Sequence, residues 1–211
     1  MIDRSRRPAF AEAKPLRLRA GRRAMGVLLL AAVAACSTPP KREQFAELTY
    51  AHLAPFRLDV AVVDVIDETR PTTAAPHVAH LFPVAPATAA ARWAKDRLVA
   101  VGASGSALYT VVEASAVEAP LERTTGLKGM FTIDQSERYD AAIEVRLSVQ
   151  KPAGQPSAAI TVRAERSQTV PEDATLNERE RVWFDLTEKL MTDLDARLEA
   201  EIRRTLAAFL R

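Results

Sequence analysis

The chain has 211 residues, 29 Lys+Arg against 27 Asp+Glu, and a formal net charge of +2. Residues 1–35 hold eight of the basic and two of the acidic side chains, so that stretch is +6 and residues 36–211 are −4. An acidic body with 6% aromatic residues excludes a basic, base-stacking nucleic-acid surface, and seven glycines, one cysteine and 48% hydrophobic residues exclude collagen-like, disulfide-rich and disordered chains.

The first element is a leader. Arg22-Arg23 precede Met25–Cys36, MGVLLLAAVAAC, whose Val27–Ala35 stretch has no charge. That run is too short for a transmembrane helix, which needs about 20 apolar residues, and fits the apolar region of an export signal. Its end, Val33-Ala34-Ala35-Cys36, resembles the bacterial lipobox. The resemblance implies that the Cys36 thiol takes a diacylglyceryl group, that cleavage follows before Cys36, and that acyl chains such as palmitate anchor the mature chain. Two or three acyl chains anchor stably where one does not. Gly21–Met25 also resembles a twin-arginine signal, so the export route stays open between the two pathways. Ser37 resembles the outer-membrane sorting pattern, with retention on the periplasmic face of the inner membrane as the alternative. Cys36 is the sole cysteine, so the exported part forms no internal disulfide.

The chain therefore divides into a signal peptide (1–35), a tether (36–56) and a periplasmic domain (57–211). The tether carries Pro39, Pro40 and Pro55, with a short helix allowed over Arg42–Tyr50. Leu58–Ile66, LDVAVVDVI, is nearly continuous in apolar residues and predicts a central strand buried on both faces. Asp64 interrupts it, as an edge acid or a paired buried charge. After a proline-rich loop, Pro86 or Thr88 opens a helix with Ala90, Trp93, Ala94, Arg97, Leu98 and Val101 on one face and Gly102 as its C-cap.

Ala107–Val117 reads as a strand, 118–137 as a long connection with a short edge strand at Met130–Ile133, and Tyr139–Val149 as the clearest strand. In the last, Tyr139, Ala141, Ile143, Val145, Leu147 and Val149 share one face and Asp140, Glu144, Arg146 and Ser148 the other. Lys151–Pro156 turns the chain into an antiparallel partner at Ala158–Glu165, and Val170–Thr175 forms a further turn. Thr175 or Asn177 caps a final helix reaching about Phe209. The order β-α-β-β-β-α predicts an α+β two-layer sandwich with a mainly antiparallel sheet and a long C-terminal helix.

Val182, Leu186, Leu190, Leu194, Leu198, Ile202, Leu206 and Leu210 recur every fourth residue along that helix. Each step overshoots a full circle by roughly 40°, so the row rotates through roughly 280° and cannot face one flat sheet. Either the helix bends, or the 118–137 connection or the tether covers its end, or Ile202, Leu206, Phe209 and Leu210 form a partner or self-association surface.

Catalytic and metal motifs are weak. Gly102-Ala103-Ser104-Gly105-Ser106 breaks the G-x-S-x-G pattern at its fifth residue, and His77 and His80 are two imidazoles where a metal site needs three or four ligands. No catalytic residue, cofactor or metal is expected.

The lipobox at Cys36, the valine-rich strand, and Ala91-Arg92-Trp93-Ala94 followed by Leu98 resemble the ABC-type transport auxiliary lipoproteins of Gram-negative bacteria. That resemblance implies a non-enzymatic accessory that contacts an envelope protein partner and helps move lipid-like substrates. The alternative is a carrier holding an apolar ligand between sheet and helices, in a cavity lined by Trp93, Trp183 and the strand valines.

Overall fold

The computed structural model describes residues 44–121 and 135–211. Cys36, the leader and the Met130–Ile133 strand expected from the sequence lie outside the described residues. The elements run β1 (Phe56–Leu58), β2 (Val62–Asp67), a 3-10 turn at Ala79–Leu81, α1 (Pro86–Arg97), β3 (Leu98–Ala100), β4 (Ser106–Pro120), β5 (Gln135–Gln150), β6 (Ala158–Pro171), α2 (Leu176–Thr205) and a 3-10 turn at Ala207–Phe209.

The main sheet has the order β2-β4-β5-β6. β5 pairs antiparallel with both neighbours, while β2 and β4 run parallel because the chain returns through α1 before re-entering the sheet. α1 lies over β4 and β2, and α2 over β6 and β5, so among the described residues both helices cover one sheet face and leave the other open. The expected α+β sandwich with a mainly antiparallel sheet and a long final helix is the fold observed.

From Tyr139 to Val149, β5 follows its period-2 pattern. Tyr139, Ala141, Ile143, Val145, Leu147 and Val149 are all buried, because alternate side chains of a strand share one face. α2 opens with a capping box: the Thr175 hydroxyl accepts from Glu178 N–H, and the Glu178 carboxylate accepts from Thr175 N–H at 2.7 Å. Glu178 is held below the usual carboxylate range by those Thr175 N–H and hydroxyl donors.

Arg97, the polar member of the α1 stripe, is 2% exposed. Its guanidinium donates to Ala54 O and, at 3.1 Å, to Glu199 Oε2, and its Nε stands 3.4 Å from Asp195 Oδ1. The Phe56 ring lies 4.7 Å below it. Asp195 Oδ1 also accepts from Trp93 Nε1 at 2.6 Å.

Three expectations are corrected. First, the valine run is not one central strand. Leu58 and Val60 are buried, but the chain breaks there into β1 and β2, and β2 lies at the sheet edge with Val62 and Ile66 on the open face. Asp64 is exposed, as an edge acid.

Second, α1 stops at Arg97, and Gly102 is not its cap. Leu98–Ala100 leave the helix to pair parallel with Phe56–Leu58. Gly102 is instead a point of close approach, where a Cβ would stand 2.4 Å from Asp59 Oδ1 and 2.6 Å from Val60 N.

Third, Ile202, Leu206, Phe209 and Leu210 are not a partner surface. The first three are buried and Leu210 is half-buried. After the 3-10 turn the chain lies along β1: Leu210 bridges Leu58, Asp59 N–H donates to Phe209 O at 2.7 Å, and Arg211 N–H donates to Arg57 O at 2.9 Å. The winding row is satisfied because its late members meet this small end sheet rather than the main one.

Leu206→Ala is therefore expected to lower unfolding free energy by about 2–5 kcal/mol, with the sedimentation mass unchanged. A change of mass without loss of stability would contradict this burial. Gly102→Ala is expected to cost about 1–3 kcal/mol by forcing apart the Asp59 and Gly102 segments, readable in urea melts.

Candidate functional site

The segment read as a free tether is packed from Phe45 onward, and it forms neither helix nor strand over 44–50. Phe45 stacks on Phe184 with ring centroids 5.1 Å apart, Leu48 and Leu53 pack against the core, and Tyr50 is buried. Asp96 on α1 receives Tyr50 N–H at 2.8 Å and the Thr49 hydroxyl at 3.0 Å. Arg92 pairs with Asp96 at 3.0 Å and with Glu47 at 3.1 Å. Burial works to raise the Asp96 pKa, but the Tyr50 N–H, the Thr49 hydroxyl and Arg92 together hold it below the ordinary value. Residues from Phe45 on are thus packed with the domain, ahead of the start at 57 expected from the sequence, and Arg92 and Trp93 serve packing. The signal was present in Phe45, Leu48 and Tyr50, three apolar residues too irregularly spaced for a periodicity search.

Among the described residues the two tryptophans pack against other aromatic rings. Trp93 is fully buried and stacks on Tyr109 at 5.7 Å, and Trp183 stacks on Phe82 at 5.4 Å and meets the Tyr139 ring edge-on at 5.6 Å. The Tyr139 phenol is pushed up to about 12 by burial and then by the nearby Glu118 carboxylate.

A cleft of about 460 Å³ lies elsewhere, between the 68–85 loop, the start of α1 and the middle of β4. Its floor is Ala79, Val112, Ala114 and Ala116, and its rim carries Arg70, His77, His80 and Asp67. His77 and His80 thus share one cavity, but among the described residues no three His, Cys, Asp or Glu side chains converge as metal ligands. Asp67 Oδ1 accepts from Thr69 N–H at 2.9 Å. Sequence reasoning missed this cleft because β4, the loop and α1 meet only in the tertiary structure.

The open sheet face carries an ion-pair network. Arg163 pairs with Glu113, with Glu165 at 2.7 Å and with Glu144 at 3.5 Å, bridging β4, β5 and β6. The Arg163 guanidinium holds the Glu113 carboxyl below its ordinary range. Beside it, Val62, Ile66 and Leu108 form a modest exposed apolar strip.

No family model matches the chain, and no curated protein matches it. Among solved structures it is similar to the rare lipoprotein B from Shewanella oneidensis, at 10% identity, over 68% of this chain and 95% of that one, with a TM-score of 0.37. It is also similar to a minor lipoprotein from Acinetobacter baumannii, at 14% identity, over 70% of this chain and 96% of that one, with a TM-score of 0.36. Likenesses of that depth assign neither fold nor role to this chain.

Asp96→Ala is expected to cost about 1–3 kcal/mol by leaving the Tyr50 N–H without its acceptor, and to release 44–50 to protease. Because Asp96 titrates below its ordinary value of 3.8 in the folded chain, its contribution is complete above that pH and is lost as pH falls through the depressed value. Proteolysis within 44–50 is expected to rise only in that acid range.

Proposed function

We propose that the chain is a lipid-anchored envelope lipoprotein that works by protein contact, as an accessory of a transport or assembly system. The observation that carries this reading is the spacing between anchor and domain. Cys36 stands nine residues before Phe45, which stacks on Phe184. Nine residues reach at most about 30–32 Å, so an anchor at Cys36 keeps Phe45 within that distance of the lipidated residue. Ser37 supports the periplasmic face of the outer membrane as the location.

Contact rather than carriage is favoured by the packed interior. Trp93, Trp183 and the inward valines fill the space between sheet and helices that a carried apolar ligand would occupy. Meanwhile the open sheet face and the cleft beside β4 remain available to a partner.

In cells fed labelled palmitate, the full chain is expected to take up label and to sediment with membranes. Cys36→Ala is expected to lose the label and appear in the soluble periplasmic fraction. An unlabelled wild-type chain would sink the anchor. In-cell crosslinking followed by mass spectrometry is expected to recover an envelope transport or assembly subunit, and recovery of none would sink the accessory role.

A further inference from the structure

β2 lies at an edge of the main sheet, but its residues are those of a strand covered on both sides. Val62 and Ile66 are 43% and 38% exposed on the open face, next to the exposed Leu108 of β4. Val63 and Val65 are only half-buried on the other face. A flat, apolar edge strand of this kind is a template for pairing with another chain.

The backbone of β2 is unpaired on its outer side. Successive residues of a strand turn their N–H and C=O groups to opposite sides. Glu68 N–H, directly after Asp67, donates to Val111 O at 3.0 Å, so the even-numbered residues of this stretch face β4. Val63, Val65 and Asp67 therefore turn their N–H and C=O groups outward, where no described residue bonds them.

We propose that this edge receives an extended segment of a partner protein, with a basic residue between apolar ones, which adds to β2 as an antiparallel strand. Antiparallel pairing is slightly more stable per residue than parallel pairing. The six residues of β2 span about 20 Å. Main-chain pairing supplies affinity in strand addition, and alternate side chains supply selectivity. On the open face the added side chains stand opposite Val62, Asp64 and Ile66 in turn, so an apolar, basic, apolar alternation matches the edge.

The charges also decide between a different protein and a second copy of this chain. Asp64 and Glu68 are exposed and have no ion-pair partner among the described residues, and the Asp67 carboxylate accepts the Thr69 N–H. The strand holds no cation. Arg70 lies past its end, on the cleft with Asp67, and Arg146 lies beyond β4, across Thr110 from Ile66. Two copies of β2 set antiparallel about Val63, Asp64 or Val65 place their Asp64 carboxylates directly opposite or diagonally adjacent. Like charges so placed are destabilising, so the matching occupant is a basic strand from another protein.

This edge rests on the contact function proposed above and names a surface for it. Its test reads neither lipidation nor in-cell crosslinks, so the two readings fail separately. The probe is acetyl-Lys-Thr-Val-Val-Lys-Val-Val-amide, titrated into the ¹⁵N-labelled full chain in dodecylmaltoside. Set antiparallel, its second lysine falls opposite Asp64 and its first opposite Glu68. The controls are its Glu-for-Lys counterpart and two N-methylated forms. One is methylated at the fourth residue, whose N–H faces Val65, and the other at the fifth, whose N–H points away from β2.

The lysine peptide is expected to shift the amides of 63–67 saturably. Its glutamate counterpart is expected to bind about tenfold more weakly, the effect of two lost charge contacts. Methylation at the fourth residue is expected to abolish the shifts and methylation at the fifth to leave them. Asp64→Lys is expected to weaken binding about fivefold with an unchanged circular dichroism spectrum. Absence of shifts at 63–67 would overturn the proposal, as would equal binding of the two charged peptides or an equal effect of the two methylations. Dimerisation of the chain alone that protects the 63–67 amides would assign the edge to a second copy and would also overturn it.

Discussion

The guanidinium of Arg97 stands where four separate parts of the chain meet. It ends α1, donates to Ala54 in the incoming segment, pairs with Glu199 and lies near Asp195 on α2, and covers the Phe56 ring at the start of β1. A charge that far from water is tolerated only when its partners are in place, and removing one of them leaves an uncompensated buried charge. The relative positions of α1, α2 and the end sheet are therefore tied to one side chain. Asp195 extends the arrangement by also accepting from Trp93, so the packed tryptophan and the buried cation share a carboxylate. The preceding residue, Asp96, fastens the incoming chain to the same helix.

From that junction the rest of the architecture follows. With both helices fixed on one side, the sheet has one covered face, and the other is kept soluble by the Arg163 network and the edge acids Asp64 and Asp67. The crossover through α1 places β2 parallel to β4, but β2 is six residues long and β4 is fifteen. The remaining edge of β4 has to be covered by something else. The proline-rich loop covers part of it, and the cleft is the part it leaves.

Elements with a complete local rule were legible. β5 alternates without exception for eleven residues, from Tyr139 to Val149, and the helix start at Thr175 carries both halves of a capping box. β2 misled because a valine run means burial on both faces only if both flanks of the strand are covered, and strand order is not encoded locally. The helix-end row misled for a related reason. A stripe too wide for the sheet shows that another surface is needed, but not that residues 207–211 and β1 provide it. The cleft had only its two histidines as a trace, and two imidazoles three positions apart indicate neither a metal site nor a gap between strands.

The residues alone determined the charge division at Cys36, the lipobox pattern, the α+β class and the inward faces of β5 and α2, because each depends on neighbours within a few positions of the chain. Tertiary structure decided that Phe45–Tyr50 pack with the domain, that β2 is an edge, and that Ile202, Leu206 and Phe209 are core. Each of these depends on contacts between segments distant in the chain, such as Tyr50 with Asp96, Leu58 with Leu210 and Val78 with Ala116. Such contacts leave no periodic mark in the residues that make them.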